Sequence, residues 1–254
     1  KSYLPKPDKS IHILITSRSE VDWPKRQLLN VDRMEIEEAI DLLVKMTGID
    51  KEKNQALLQE LVSDKYLGCL PLAVAQAGAY MDAKSIDIKE YMNRFKQSQV
   101  KFLSEENFNI KHLPVWVTFD MNFKALQEDC PLALNTLKQA SWLNASSIPE
   151  ALLIDMIEIE DKNKAMEAWD DIKGRLKRYS LMRLDKENHL ATIHPLLQEI
   201  LRNKQTEKEQ IEIFKFVCKK MDEIFANDKT SSSTYRGFLP HAERVNQHVK
   251  HFAT

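Results

Sequence analysis

The sequence predicts a mostly α-helical protein with short β segments near its N-terminus and in its second half. The chain of 254 residues has only five glycines and nine prolines. This is about half the usual share, which disfavours turn-rich β folds, collagen and disordered linkers. Apolar residues make up 43% of the chain and recur mainly at intervals of three and four, the spacing of one helix face. Only short stretches depart from this period.

A buried strand is predicted near the N-terminus. The run Ile11–Ile15 is short and mainly β-branched, and the polar segment Thr16–Ser19 follows it. Such a run is typical of a parallel strand covered on both faces. Because one strand is not stable alone, we expect the rest of its sheet upstream of Lys1, in a longer parent protein.

Helical patterns follow this strand. Asp32 with Glu35 resembles a capping box, and Gly48 is expected to end the first helix. Pro71 opens a later helix after the joint Leu67–Leu70, since proline at the first turn loses no hydrogen bond. Asp87 is predicted to cap the helix after that one. The first helix carries an apolar stripe of Ile36, Ala39, Leu43 and Met46.

The second half predicts further helices and one hairpin. Ser180–Asp185 and Leu190–His194 alternate in polarity, as the two strands of a β-hairpin do. Helix, helix, hairpin is the pattern of a winged helix. Further helices are predicted to start at Pro131, to span Pro195–Lys204 and Glu207–Ala226, and to run from about Leu239 to Phe252. The helix before the hairpin is expected to bury Met166, Trp169, Ile172, Leu176 and Tyr179.

Composition excludes several classes of protein. The 37 basic and 38 acidic residues give a net charge of −1, so the chain has no overall basic charge for nucleic acid. Cys69, Cys130 and Cys218 form no C-x-x-C pair, which is typical of free thiols in a reducing compartment. The first ten residues lack the apolar stretch of a signal peptide. The longest uncharged run, Tyr66–Met81, is too short to span a bilayer, so we expect a cytoplasmic protein.

Three positions are candidate ligand contacts, each with a structural alternative. Arg18 follows the predicted strand, where an α/β sheet binds ligands, and could reach a terminal phosphate; from its position alone, a surface arginine that caps a neighbouring helix is the simpler interpretation. Pro71 could press its ring against a flat base, or simply join a loop to a helix. His194 could donate to a phosphate oxygen, or be a structural histidine.

Two other groups of residues favour structural roles. His241, His248 and His251 share a helix face, which suits a metal site or, more simply, a solvated face. Glu150–Tyr179 resembles a helix-turn-helix whose second helix has a basic end, although acidic residues on that helix oppose contact with DNA. No catalytic motif occurs, and neither does the phosphate loop G-x-x-x-x-G-K-[ST]. The basic residues at the end of the second helix of Glu150–Tyr179 are Lys173, Arg175, Lys177 and Arg178.

The order of these segments resembles the second half of an NB-ARC nucleotide-binding module, a branch of the STAND signal-transduction ATPases that includes NLR-like proteins. The similarity spans about Ile11 to Arg202, and Phe238–His241 is similar to the lead-in to tetratricopeptide repeats. The segments that carry it are Ile13–Arg18 with Trp23, Glu38–Leu43, Leu67–Ala73, Val117–Met121, Leu176–Leu181 and Thr192–Gln198.

This resemblance implies four domains and three ligand contacts. Residues 1–30 would end the nucleotide-binding domain, 31–110 form a small helical domain, 111–205 a winged-helix domain, and 206–254 a helical arm or lead-in to repeats. Arg18 would be the sensor arginine for the γ-phosphate, Pro71 the proline that packs on adenine in the G-L-P-L motif, and His194 the histidine that binds the β-phosphate of ADP. Cys69 interrupts that motif, and Ile193 and Pro195 replace the usual neighbours of the histidine.

The resemblance also implies a function. The phosphate loop and the acidic strand for Mg²⁺ would lie upstream of Lys1, so this chain alone should bind ADP or ATP weakly and hydrolyse neither. It would be the regulatory part of a nucleotide-dependent signalling switch that controls oligomerisation. Its expected partners are the upstream phosphate-loop domain, the downstream repeats, other copies of itself and an unidentified protein ligand. Two alternatives remain: a winged-helix regulator that binds DNA, and a scaffold whose nucleotide site has decayed.

Overall fold

The computed structural model describes residues 33–104, 113–226 and 232–252. The described residues are mostly helical, with a small antiparallel sheet, which confirms the predicted mostly-α class. The predicted strand Ile11–Ile15 and Arg18 lie outside the described residues. The four domain ranges and their names stay predictions.

The first four helices form a bundle, here called the bundle: α1 (Ile36–Thr47), α2 (Lys51–Val62), α3 (Pro71–Lys84) and α4 (Ile88–Ser104). A capping box of Glu35 and Glu38 begins α1; Asp32, the cap that the sequence predicted, lies outside the described residues. Gly48 ends the helix as predicted, with φ 68°. The predicted apolar stripe of α1 is wrong at Ile36, which lies in the first turn and is 52% exposed. The buried face of α1 is Ala39, Ile40 and Leu43.

Helix α3 lies at the centre of the bundle and packs on α1, α4 and α5. Its small residues permit the close approach that their size predicts. A Cβ atom placed on Gly78 would lie 3.0 Å from the Cβ of Met46 on α1. Asp87 caps α4 as predicted, its Oδ1 accepting from the Glu90 N–H at 2.8 Å.

Helix α5 (Leu113–Asp129) joins the bundle to the second half of the chain. It is buried along most of its length and packs on α3 and α4 on one side and on α6 (Pro131–Ala140) on the other. The predicted helix start at Pro131 is confirmed. Since α5 is shared by both halves, its polar side chains are placed to fix their relative position.

The second half contains what we call the hairpin unit: α6, β1 (Ile148–Pro149), α7 (Glu150–Asp155), α8 (Lys162–Arg178), β2 (Arg183–Asp185), β3 (Leu190–Thr192) and α9 (Pro195–Asn203). The predicted hairpin is confirmed, with Leu184 opposite Ala191, although its first strand starts later and its second strand ends earlier than predicted. Strand β1 was not predicted; it pairs with the other side of β3, giving the order β1-β3-β2.

One helix face in the hairpin unit is corrected. Met166 is 48% exposed, whereas Ala165 is buried and takes its place. The actual face of α8 is Ala165, Trp169, Ile172, Leu176 and the following Tyr179. A spacing of three and four residues before Trp169 allows either Met166 or Ala165 to face inward. Because α6 and α7 pack on α8, the smaller Ala165 is the one that is buried.

Two helices complete the described chain: α10 (Glu207–Ala226) and α11 (Ser232–Phe252). The bounds of α10 match the prediction, whereas α11 starts earlier than expected and contains Pro240. Helix α11 packs on β1 and α10. Among the described helices, none has the length and apolarity that a bilayer crossing requires.

Candidate functional site

Two of the three predicted ligand contacts can be placed. Pro71 is the first residue of a helix and His194 is the N-cap of another, whereas Arg18 lies outside the described residues. The geometry of the candidate site is therefore built from the joint that precedes α3 and from the start of α9.

The joint before Pro71 is a tight turn held by backbone hydrogen bonds. Gly68 and Cys69 both have left-handed backbones, with φ 59° and 50°. The N–H of Gly68 donates to Ser63 O at 2.9 Å, and that of Cys69 donates to Val62 O at 2.8 Å. A residue other than glycine in the left-handed conformation costs about 1 kcal/mol. The two backbone hydrogen bonds fix the turn and offset this cost at Cys69.

Pro71 itself is the first residue of α3 and is exposed. Leu70 precedes it as the N-cap, and the Leu70 carbonyl accepts from the Val74 N–H at 2.9 Å. Burial raises the pKa of the neighbouring Cys69 thiol, so this cysteine is a poor nucleophile. The ring of Pro71 is thus a rigid apolar surface open to a flat partner.

His194 is the N-cap of α9, and its ring has one defined role. Its Nδ1 accepts from the Leu196 N–H at 3.2 Å. Since Nδ1 is the acceptor, the neutral ring carries its proton on Nε2, which can donate to an external oxygen. Although the residue is exposed, desolvation by the protein around the ring lowers the pKa of His194. The imidazole is therefore held as a neutral donor at the start of a helix.

The helix that carries His194 is anchored by polar side chains that the sequence did not reveal. Gln198 donates to the carbonyls of Ala140 and Leu143, at 3.0 and 3.2 Å. Arg202 donates to the carbonyl of Ser141, and burial lowers the pKa of its guanidinium to about 10. All three carbonyls lie at the end of α6 or just after it, so α9 is fixed to α6.

Asp120 adds a link from α5 to the end of α9. The residue is 4% exposed, and its carboxylate accepts from Lys124 and Lys204, each at 2.5 Å. Burial alone would raise its pKa, but the two ammonium groups outweigh burial and hold the pKa below its usual range. Together with the Arg202 contact, this pair sets the position of α9, and hence of His194.

The structure does not bring Pro71 and His194 into one described cleft. Pro71 belongs to the bundle, where α3 packs on α1, α4 and α5, whereas α9 packs on α6. A cleft of about 390 Å³ lies between α3 and α8, and neither residue lines it. A ligand that touches both residues would have to bridge the bundle and the hairpin unit.

The histidine face predicted as solvated is corrected at His241. This residue is fully buried, and its Nε2 lies 3.1 Å from Ser147 O, just before β1. Burial lowers its pKa. The residue is buried because α11 packs on β1, which the sequence did not predict. Within residues 33–104, 113–226 and 232–252, no group of three or more His, Cys, Asp or Glu residues is placed to hold a metal ion.

The basic end of α8 is largely engaged within the chain. Lys173 pairs with Asp170 at 2.6 Å, and Arg175 with Asp171 at 3.3 Å. Arg178 donates to the carbonyl of Ala83 at 2.5 Å. Two of these cations are paired with carboxylates on the surface of α8, and Arg178 is engaged by α3. A DNA-binding helix would instead present such cations to phosphates.

Comparison with known proteins gives one distant similarity. No family model matches the chain. A nucleotide-binding leucine-rich repeat (NLR)-like protein of Hyaloscypha variabilis is 23% identical over 234 residues. The match covers 86% of this chain but 22% of that protein, so the chain spans about a fifth of the length of that relative. The chain is thus distantly similar to an NLR-like protein over most of its length.

Proposed function

We propose that this chain is the regulatory part of a nucleotide-dependent signalling switch of the NB-ARC type, with residues 111–205 as its winged-helix domain. His194 is the observation that carries the proposal, because its N-cap bond leaves Nε2–H as a donor of defined direction. The order of segments seen in the sequence and the distant NLR-like relative support the same family.

In this proposal three residues contact ADP or ATP. Pro71 offers its exposed ring to the adenine face, and His194 donates to a β-phosphate oxygen of ADP. Arg18 contacts the γ-phosphate of ATP. The phosphate-loop domain that precedes this chain in the parent supplies the main phosphate contacts and Mg²⁺, and the proposal assigns no hydrolysis to this chain.

The switch follows from a contact that differs between two states. Because Pro71 and His194 sit on separate groups of helices, a bound ADP that touches both holds the bundle and the hairpin unit closed. Losing the His194 contact on exchange to ATP shifts the population toward an open form. That open form associates with other copies of the parent. In the parent, residues 206–254 lead into the downstream repeats.

Two substitutions at one position separate capping from nucleotide contact. His194→Ala removes both the N-cap acceptor and the proposed donor, and we expect a loss of about 1 kcal/mol in stability together with faster ADP release. His194→Ser keeps an N-cap acceptor but removes the imidazole, so ADP release is again faster while stability is retained. Both should be made in the full-length parent, with retained ADP measured by chromatography and oligomers by light scattering.

Three outcomes would contradict the proposal. ADP retention and oligomerisation that remain unchanged in His194→Ser would mean that the histidine is only a cap. Binding of duplex DNA that falls with salt and with Lys177→Ala would instead favour the DNA-binding alternative. No nucleotide response in the full-length parent would favour a scaffold with a decayed site.

A further inference from the structure

The last residue of α8 and the two residues after it contact α3 and the end of α5. The Leu181 N–H donates to Leu176 O and the Ser180 N–H to Lys177 O, both at 2.9 Å, which is the Schellman arrangement of a helix end. Ser180 is left-handed, with φ 51°. This fixed turn presents the Arg178 guanidinium, the Tyr179 hydroxyl and the Ser180 carbonyl to their neighbours.

All three groups have partners on α3 or at the end of α5. Arg178 donates to the carbonyl of Ala83 at 2.5 Å, and Gln76 of α3 donates to the carbonyl of Ser180 at 2.7 Å. The Tyr179 hydroxyl donates to Asp129, the last residue of α5.

Asp129 joins the three elements, because its carboxylate also accepts from Lys84 of α3 at 2.9 Å. Burial raises the Asp129 pKa, but the Tyr179 and Lys84 hydrogen bonds outweigh burial and lower it overall. Burial, together with the bond to Asp129, raises the pKa of Tyr179 to about 12. The carboxylate therefore stays ionised and the hydroxyl protonated, which keeps both bonds intact around neutral pH.

The cleft of about 390 Å³ adjoins these contacts. It is lined by Ala79 and Asp82 on α3, by Gly174, Lys177 and Arg178 on α8, and by Ser180 and Met46. A Cβ atom added to Gly174 would meet nothing within 4 Å. The two helices are thus held together at one end by polar contacts, with little packing beyond it.

We propose that Arg178, Tyr179 and Ser180 form a latch that holds α8 against α3 and limits opening of the cleft. Polar contacts of this kind exchange for contacts with water when they break, so breaking them costs less free energy than the same bonds are worth in isolation. The latch is inferred from this chain alone. Only its consequence, that opening leads to oligomerisation, rests on the proposed function.

The test measures opening of the cleft by thiol labelling of the 254-residue chain, with peptide mass spectrometry to distinguish the sites. Ala79→Cys places a reporter in the cleft, where Ala79 is 3% exposed. Ala39→Cys is a matched reporter in the core of the bundle, where Ala39 is fully buried. Each reporter is combined with Tyr179→Phe plus Asp129→Asn, or with the control Asp171→Asn, which removes an exposed ion pair on the same helix.

We expect the latch variant to label about tenfold faster at position 79, with little change at position 39 and none in the control. Tyr179→Phe alone keeps the buried ring and should give a smaller increase at the same site. Equal acceleration at both reporters would mean general loss of stability, and no acceleration would mean that the seam does not open; either result overturns the latch. Since no nucleotide is added, the outcome is separate from that of the His194 variants.

Discussion

Gly78 and Gly174 each lie inside a helix, and we expect alanine to change stability in opposite directions at the two positions. Glycine costs about 1 kcal/mol relative to alanine in a helix interior. At Gly174 in α8 an added Cβ meets nothing within 4 Å, so Gly174→Ala should recover that amount. This corresponds to a rise of about 3 °C in Tm for a domain of this size.

At Gly78 in α3, a steric clash outweighs the gain in helix stability that alanine brings. The new Cβ would lie 3.0 Å from the Cβ of Met46 and 3.1 Å from its sulfur. The nearest atom is not the mobile end of the side chain, so α1 and α3 must separate. Overpacking of this kind costs about 1–3 kcal/mol, which leaves Gly78→Ala with a net loss of about 1 kcal/mol.

The assay is unfolding in urea, monitored by circular dichroism. The midpoints of the two variants are compared when the dependence of the unfolding free energy on urea concentration has the same slope in both. A shift in midpoint without a change in slope reports stability itself. If Gly78→Ala raised the midpoint as much as Gly174→Ala, the close approach of α1 and α3 would be refuted. If Gly174→Ala lowered it, the cleft beside α8 would be too narrow for a methyl group.

Two further predictions concern buried titratable groups. Asp120→Asn should lower stability by about 2 kcal/mol at pH 7. Because the folded pKa of Asp120 is lowered, the wild-type advantage should begin to shrink as the pH falls below about 4 and be lost only as the pH falls through the lower folded pKa. An advantage of equal size at about pH 5 and about pH 3 would contradict this. His241→Gln keeps a donor for Ser147 O but cannot titrate. Because burial lowers the pKa of His241, the folded state resists protonation, so the wild type should lose stability as the pH falls below about 6.5. The Gln variant should lose less in urea titrations, whereas the exposed control His189→Asn should behave as the wild type does.

Several elements could be predicted because their causes lie within a few residues. Gly48 ends α1, Asp87 caps α4 and Pro131 begins α6, and each acts on backbone groups of its own turn. The hairpin could be predicted for the same reason, since its strands lie close in sequence. The positions of Pro71 and His194 at helix starts also follow from local sequence.

The chemistry of the candidate site needed more than local sequence. A histidine before a proline is compatible with several ring states, and only the Leu196 bond assigns the proton to Nε2. The anchoring of its helix depends on Lys204, which meets Asp120 although 84 residues separate them. No periodicity in the sequence signals such a pair.

The sequence by itself determined the helical class, several helix ends and the positions of Pro71 and His194 at helix starts, because caps, prolines and hydrophobic period act over one or two turns. The tertiary structure decided that Met166 is exposed, that His241 is buried and that β1 joins the sheet. It also decided that Gln76 meets Ser180 across 104 residues. Contacts at such separations depend on how whole helices pack, and that packing is a property of the assembled chain.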